Sequence, residues 1–212
     1  GVYGTKMIPN NQPDAESRFH MLIDAVKFVY ASAFLKNARQ YRQAVCEKGG
    51  EEKMAVIIQE VVGLRHSESY YPNCSGVARS YNPYAFGRAE PSEGVASLAL
   101  GLGRAIVAGE NVWTYSPPHP AVAPPFNSVR DMLKETQTRF WAVNMGKPPA
   151  YDPMSETEYL THHDLKTAEY DGTLRRIAST YDPGSDRIVM GTGSQGARVL
   201  NFAPLLEFDD IP

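Results

Sequence analysis

The sequence predicts an α+β protein whose strands lie in clusters. Residues 13–45 carry apolar side chains at helical spacing, which predicts one long helix. Several short runs rich in β-branched residues follow without regularly alternating helices, which favours α+β over a doubly wound sheet. The 212 residues are 42% hydrophobic and 21% charged, so the chain is long and apolar enough to bury a core without disulfides or a structural metal. We therefore expect a mixed sheet with a long helix packed on one face.

The predicted helix begins at Pro13 and Asp14, with Asp14 as its N-cap. The sequence KNARQYRQ continues it with a polar, basic face until Gly49 and Gly50 end it. The apolar stripe of this helix consists of Phe19, Leu22, Ile23, Val26, Tyr30 and Ala33.

Three strands are predicted in the next fifty residues. MAVIIQEVV, residues 54–62, is rich in β-branched residues and predicts a buried strand. A polar loop at 67–75 leads to a second strand, SGVARSYN, and NPYAFGRAEPSEG has the Gly, Pro and Asn of a long exposed turn. GVASLALG predicts the third strand, and LGRAIVAG predicts a short helix behind it.

The composition of the chain changes after residue 115. SPPHPAVAPPF contains five prolines and predicts an extended connection. The elements predicted after it are a helix at SVRDMLKE, a strand at TRFWAVNM, a hairpin at TLRRIASTYDPGSDRIVMG and a last strand in ARVLNFAPLLEF. We therefore expect three parts: a core at 1–113, a Pro-rich connection at 114–126, and a β-rich extension of the same domain at 127–212.

Composition and charge exclude several classes of function. The net charge of −3 comes without a dense Lys/Arg stripe, which argues against nucleic acid as a partner. The sequence has no long apolar run and no recognisable leader, so we expect no membrane partner. Cys46 and Cys74 form neither a CxxC pair nor a metal cluster, which is typical of free thiols in a cytoplasmic protein.

SLALGLGRAIVAGE, residues 97–110, combines a strand, a glycine turn and a helix start, an arrangement that can cradle phosphate. The dinucleotide fingerprint fails because its third glycine is replaced by Ile106, and no Lys-Ser or Lys-Thr follows for a Walker A loop. The pattern alone thus favours a strand-to-helix corner at Gly101 and Gly103. Anion binding stays open, because helix N–H groups attract anions and Arg104 could add a cation.

Two other polar clusters have competing interpretations. Gln59 and Glu60 interrupt an apolar run, which fits either a strand with one solvated face or a strand edge that faces a purine. His162, His163 and Asp164 could hold a metal in a hydrolase. Adjacent residues point to different faces, however, so polar residues at a helix start are the favoured interpretation and no metal site is expected. No G-x-S-x-G elbow supports a nucleophilic hydrolase.

Several segments, taken in order, resemble one family. They are YASAFLKNARQYR, MAVIIQEVVG, SGVARSYNP and GVASLALGLGRAIVAGE, and the opening GVYGTKMIPN is similar to the segment after that family's VRSSxxxED motif. The family patterns are "aSLFtxRAxxYR", "VxVQxMV", "SGVAFTxDP" and "GLGExVVxG". Together these segments resemble the N-terminal nucleotide-binding domain shared by phosphoenolpyruvate synthase and pyruvate phosphate dikinase. The resemblance covers residues 1–110, while 111–212 resemble only the large bacterial synthase-like proteins.

This resemblance implies part of an ATP-grasp fold and a reaction in which ATP phosphorylates a carrier histidine and then pyruvate. It implies that Gln59, Glu60, Val61 and Val62 meet adenine, largely through backbone groups. Gly101, Gly103 and Arg104 fall on the family's glycine turn, near the nucleotide. The implied partners are ATP with Mg²⁺, a phosphohistidine carrier domain and a pyruvate-binding domain of the same parent chain.

The chain also departs from the family pattern. Arg104 stands where the family has Glu, and Asn82 stands where it has Asp. The sequence starts after the family's VRSS arginine and an earlier lysine, and we find no E…QxRP strand to supply acidic metal ligands. We therefore expect an internal fragment of a larger phosphotransferase that is catalytically incomplete and binds no cofactor tightly by itself. The alternative is a non-catalytic nucleotide-binding or regulatory module.

Overall fold

The computed structural model describes residues 2–45 and 53–207. The helices are α1 (Ala15–Ser32), α2 (Lys36–Val45), α3 (Arg104–Val107), α4 (Val129–Glu135), α5 (Leu165–Tyr170) and α6 (Ala203–Leu206). The strands are β1 (Leu64–His66), β2 (Ser69–Tyr71), β3 (Ser75–Arg79), β4 (Val95–Ala99), β5 (Trp113–Tyr115), β6 (Arg139–Asn144), β7 (Leu160–Asp164), β8 (Ala178–Asp182), β9 (Arg187–Met190) and β10 (Ala197–Leu200). Short 3-10 turns lie at Pro91–Glu93 and Thr173–Arg176.

The strands form three sheets, ordered β1-β2-β6-β7, β3-β4-β5 and β10-β8-β9. The pairs β2–β6, β3–β4, β4–β5, β8–β9 and β8–β10 are antiparallel. Helices and antiparallel sheets occur together without βα alternation, so the predicted α+β class is confirmed.

The chain divides into two compact units. Unit 1 comprises the described residues up to Tyr70 together with Val143–Thr161, and unit 2 comprises Tyr71–Ala142 with the described residues from His162 onward. Each unit draws on two separated stretches of sequence, whereas the expected parts at 1–113, 114–126 and 127–212 follow chain order. Those three parts stay a prediction.

In unit 1, the predicted single helix is two helices. Asp14 is the N-cap, as expected, and its carboxylate accepts a hydrogen bond from the Ser17 N–H at 2.7 Å. The helix ends early because the N–H groups of Ala33, Phe34 and Leu35 bond three residues back, which tightens the chain into a turn before α2 begins. The predicted end at Gly49 and Gly50 lies outside the described residues.

The buried face of α1 also differs from the predicted stripe. Phe19 is 59% exposed, whereas Phe28 is 5% exposed. The N-terminal segment lies on this face: the Gly4 N–H donates to Ser32 Oγ at 2.8 Å, and a Cβ on Gly4 would lie 2.6 Å from the Phe28 ring. The N-terminal residues pack closely against Phe28, and this contact determines which face of α1 is buried. Helical periodicity contains no information about that contact.

Lys6 and Glu158 form a buried ion pair in unit 1. Their Nζ and Oε2 atoms are 2.5 Å apart, and both side chains are 3% exposed. Lys6 Nζ also donates to the carbonyls of Asp152 and Pro153 at 3.3 and 3.0 Å, and Glu158 Oε1 accepts from the Asp152 N–H at 2.9 Å. Because partners surround both charges, the pair ties the N-terminal segment to residues 152–158.

The predicted buried strand at 54–62 is wrong. The segment has no strand assignment, and Ile57, Ile58 and Val62 are 82%, 65% and 82% exposed. A β-branched run becomes a strand only where a neighbour supplies backbone partners, and no described strand pairs with this run. The predicted loop at 67–75 is also corrected, because β2 lies within it and ends on the fully buried Tyr71.

Most predicted elements of unit 2 are confirmed. Strands β3 and β4 pair from Ser75↔Ala99 to Arg79↔Val95, and α3 follows β4. Helix α4 starts at the N-cap Ser128, β6 follows it, and the β8–β9 hairpin closes at Asp182↔Arg187. Strand β10 is also present, and residues 116–126 form neither helix nor strand, as their prolines predict. Strands β5 and β7 were not predicted.

The core of unit 2 is one apolar cluster that includes Tyr71, Leu100, Phe140 and Phe202. The hydroxyl of Tyr71 donates to Asp171 Oδ2 at 2.5 Å, which satisfies the polar end of a buried ring. Cys74 packs against this cluster, and burial raises the pKa of its thiol to about 11.

Candidate nucleotide site

The turn after β4 is shaped by Gly101, which has φ +78°. A Cβ there would lie 2.6 Å from the carbonyl oxygen of Trp141 and 2.9 Å from the Phe140 ring. The Leu102 N–H donates to the same Trp141 carbonyl at 2.9 Å. Gly101 is therefore a glycine because the turn lies directly against β6 with a left-handed backbone.

Gln137 fixes the residue just before this turn. Its Oε1 accepts from the Leu100 N–H at 2.8 Å, and its Nε2 donates to the carbonyls of Leu100 and Arg139 at 3.0 and 2.9 Å. Both Gln137 and Leu100 are buried. One side chain thus satisfies both backbone groups where β4 ends, and the turn starts from a fixed point.

Gly103 differs from Gly101. Its backbone is right-handed, with φ −59° and ψ 0°, and an added Cβ would meet only Ser75, at 3.8 Å or more. Neither its conformation nor its neighbours within unit 2 require a glycine. The glycine at 103 therefore leaves open space beside the turn.

Arg104, the first residue of α3, lies over the indole of Trp141, with its Cζ atom 5.4 Å from the ring centroid. The indole Nε1 donates to Glu110 Oε1 at 2.9 Å. His162 stacks on the same indole, with ring centroids 4.3 Å apart and planes 11° apart. The predicted Arg104 is therefore part of a cluster with Trp141, Glu110 and His162, and we call these four residues the Arg104 cluster.

Sequence reasoning missed Trp141 and Glu110 as parts of this cluster. The alternating stretch RFWAVN predicts that Trp141 and Phe140 point to opposite faces of β6, and they do. The contact of Trp141 with Arg104 depends on bringing β6 beside the turn. That pairing of distant segments has no local signal.

His162 and His163 lie on opposite faces of β7. His162 stacks on Trp141, whereas His163 lies 5.6 Å from the Phe140 ring on the core side. Asp164 caps α5 by accepting from the Thr167 N–H at 3.1 Å, so its predicted place at a helix start is confirmed. This arrangement does not bring the three residues together around one ion, and the metal-hydrolase interpretation is not supported.

Burial lowers the pKa of both His162 and His163. For His162 the cation of Arg139 lowers the pKa further, while Glu110 opposes that shift. His162 Nε2 is shielded from solvent and has no hydrogen-bond partner in the part of the chain that the structure describes. Both rings therefore favour the neutral form beside their aromatic neighbours.

The predicted adenine-contacting residues, Gln59, Glu60, Val61 and Val62, lie in unit 1 in a segment that is neither helix nor strand. The Val61 carbonyl accepts from the Tyr70 hydroxyl at 3.0 Å. Gln59 and Glu60 are both exposed, but so are Ile57, Ile58 and Val62, so the alternation expected of a strand with one solvated face is not found. Gly101, Gly103 and Arg104 lie together in unit 2.

Asn82, which replaces an acidic family residue, is 6% exposed. Its Oδ1 accepts from the Tyr84 N–H at 3.0 Å, and its own N–H donates to the Pro91 carbonyl at 2.8 Å. The side chain thus organises the β3–β4 connection as an Asx turn.

Within residues 2–45 and 53–207, no group of three or more His, Cys, Asp or Glu side chains could hold a metal ion. Among the same residues, no helix combines the length and hydrophobicity needed to cross a bilayer.

The family model described as "Pyruvate phosphate dikinase, AMP/ATP-binding domain" matches residues 9–181. The match includes both the 59–62 segment and the glycine turn. Searches among curated proteins and among solved structures gave no match.

Proposed function

The chain belongs to the pyruvate phosphate dikinase AMP/ATP-binding domain family, and from that premise we propose that it forms part of an ATP-binding phosphotransferase domain. The match over residues 9–181 carries the proposal. In the parent protein, ATP phosphorylates a carrier histidine on another domain, and the phosphoryl group then passes to pyruvate. The chain by itself binds nucleotide weakly and does not complete this reaction.

Phosphoryl transfer depends on positioning the phosphates and neutralising their charge. Arg104 supplies a cation beside the turn, and a guanidinium forms charge-assisted hydrogen bonds with phosphate oxygens. The open space at Gly103 supports a close approach of the nucleotide to the backbone there. Gln59, Glu60, Val61 and Val62 are proposed to meet adenine through backbone groups. Mg²⁺, when bound together with the nucleotide, would neutralise part of the charge on its phosphates.

The substitution Gly103→Ala tests whether the nucleotide approaches the turn. The new Cβ has no close neighbour in unit 2, so the fold is expected to stay intact. We expect ATP to bind about tenfold more weakly, because the methyl group occupies space reserved for the ligand. Ligand-observed NMR titration of the full 212-residue chain measures this change even when the affinity is low.

Two other glycines provide controls for this experiment. Gly193 has no atom within 4 Å of an added Cβ, so Gly193→Ala is expected to leave ATP binding unchanged. Gly101→Ala places a Cβ 2.6 Å from the Trp141 carbonyl and is expected to destabilise unit 2 by about 2–5 kcal/mol. Equal ATP affinity for wild type and Gly103→Ala would contradict the proposed approach to the turn.

A second candidate function is a non-catalytic nucleotide-binding or regulatory module. Asn82 favours it, because an amide used to organise a turn replaces a family acid. In that case the parent binds nucleotide without transferring phosphate. Mg²⁺-dependent phosphate exchange by the parent protein would exclude this candidate.

A further inference from the structure

We infer that Trp141 is a positioning residue that holds Arg104 for the phosphate chain of the nucleotide. The inference rests on the function proposed above, and it adds a residue that sequence comparison did not single out. Trp141 would act through Arg104 and through the glycine turn, without contacting the nucleotide itself.

Trp141 contacts the turn at two separate points. Its backbone carbonyl accepts the Leu102 N–H at 2.9 Å, and its indole lies 5.4 Å from Arg104 Cζ. Leu102 and Arg104 flank Gly103, the residue beside which the turn leaves open space. One residue therefore fixes the backbone before Gly103 and the cation after it.

The indole is itself held in place. Glu110 Oε1 accepts its N–H at 2.9 Å, and His162 stacks on the ring at a centroid distance of 4.3 Å. Of the three side chains named here as contacting the ring, Arg104 is the cation, since the neutral form of His162 is favoured in this setting. The ring is thus a fixed surface against which the Arg104 side chain lies.

The cation–π contact with Trp141 is compatible with phosphate binding. A guanidinium can lie over an aromatic face and still donate from the N–H groups along its edges to acceptors such as phosphate oxygens. A long, flexible arginine loses rotamer entropy when it is ordered. Contact with Trp141 restricts Arg104 before the ligand arrives, so less entropy is lost on binding.

The experiment is a double-mutant cycle on the full chain, with ATP, tripolyphosphate and adenosine as the titrated probes. Arg104→Gln is expected to weaken ATP and tripolyphosphate binding about tenfold and to leave adenosine binding unchanged. Trp141→Leu is expected to weaken the same two probes about three- to tenfold, and Trp141→Phe to retain most of the affinity because a ring face remains. In the Arg104→Gln background, Trp141→Leu should have no further effect.

Glu110→Ala removes the acceptor of the indole N–H without removing the ring, and it keeps the test valid if Trp141→Leu fails to fold. Glu110→Ala should weaken ATP and tripolyphosphate binding less than Trp141→Leu does, and it should leave adenosine binding unchanged. Arg187→Gln is the matched control, because it removes an exposed arginine from β9 in the same unit and should leave all three affinities unchanged.

The possible outcomes separate the two proposals. Equal losses from Trp141→Leu with and without Arg104, or a parallel loss of adenosine binding, would overturn the positioning role and leave the proposed function intact. An Arg104→Gln variant with the same three affinities as Arg187→Gln would also overturn the positioning role. Absence of binding of all three probes by the wild-type chain would overturn the proposed function and this inference with it.

Discussion

At the scale of single residues, the Lys6–Glu158 and Lys27–Asp24 ion pairs of unit 1 differ in burial, and their expected contributions to stability differ accordingly. Lys6 and Glu158 are 3% exposed and share backbone partners, whereas the Lys27 side chain is 72% exposed and lies 3.5 Å from Asp24. Removing one member of a buried pair leaves an uncompensated charge, while an exposed pair is screened by water.

We therefore expect Lys6→Met to lower the free energy of unfolding by about 3–5 kcal/mol, because Glu158 would stay buried without its cation. The matched control Lys27→Met should change it by no more than about 0.5 kcal/mol. Urea unfolding followed by circular dichroism measures both. Adding Glu158→Gln to Lys6→Met should recover part of the loss, and equal effects of the two lysine substitutions would contradict this account.

Sequence alone could identify Gly101, Gly103 and Arg104 as candidates but could not separate their roles. The two glycines look alike in the pattern, yet one is required by a positive φ and a neighbour at 2.6 Å, and the other is not. That difference depends on β6, which lies some forty residues further along the chain. Local spacing contains no information about such a contact.

At the scale of secondary-structure elements, the side chain of Gln137 links the end of β4 to the start of β6. Two backbone groups of the fully buried Leu100 depend on it. An unsatisfied buried donor or acceptor costs about 1–3 kcal/mol. The Gln137 amide therefore joins the start of the glycine turn to β6, in addition to the hydrogen bond from the Leu102 N–H to the Trp141 carbonyl.

Gln137→Leu is expected to destabilise the protein by about 3 kcal/mol, because the N–H and C=O of Leu100 lose their partner in a buried setting. Gln43→Leu, at an exposed position of α2, is the control and should have little effect. Thermal unfolding compares the two variants. A wild-type melting temperature for Gln137→Leu would show that other groups or water replace the amide.

The elements that sequence predicted well are those with local signals. The Asp14 cap, the helix at SVRDMLKE, the strands on either side of the 82–94 connection and the Asp182–Ser185 turn each have residue types that act within a few positions. The failures depended on partners elsewhere. Residues 54–62 have the composition of a strand but no described neighbour to pair with, and α1 buries Phe28 because the N-terminal segment covers it.

At the scale of the whole molecule, the two histidines of β7 connect stability to pH. Burial lowers the pKa of both His162 and His163 in the folded state below the ordinary value of about 6.5. The unfolded chain then binds protons at a higher pH than the folded chain. The stability that comes from the neutral rings is complete above about pH 6.5 and is lost as pH falls through the folded pKa values.

We therefore expect the free energy of unfolding to decrease between pH 7 and pH 5, and His162→Phe to make that decrease shallower, since a phenyl ring keeps the stack on Trp141 without titrating. His20→Phe, at an exposed position of α1, should retain the wild-type slope. Denaturant unfolding at several pH values measures the slopes. Identical slopes for His162→Phe and wild type would contradict a contribution of His162 to the pH dependence of stability.

Fold class and family followed from the sequence because they depend on the order of elements and on short motifs that the family model also matches. The division into two units did not follow from the sequence, because each unit combines two separated stretches. Residues 71–142 separate the two stretches of unit 1, and residues 143–161 separate those of unit 2. Contacts of that kind are set by packing. Composition changes along the chain, such as the prolines of 116–126, do not mark them.

The partial burial of Cys74 also has a practical consequence for measuring motion. Burial raises the pKa of its thiol to about 11, so little of it is thiolate at pH 7 and alkylating reagents are expected to react slowly at Cys74. Its neighbour Ser75 is the residue that faces Gly103. We therefore expect the rate of alkylation at Cys74 to report local opening next to the glycine turn, and nucleotide bound at that turn to slow it.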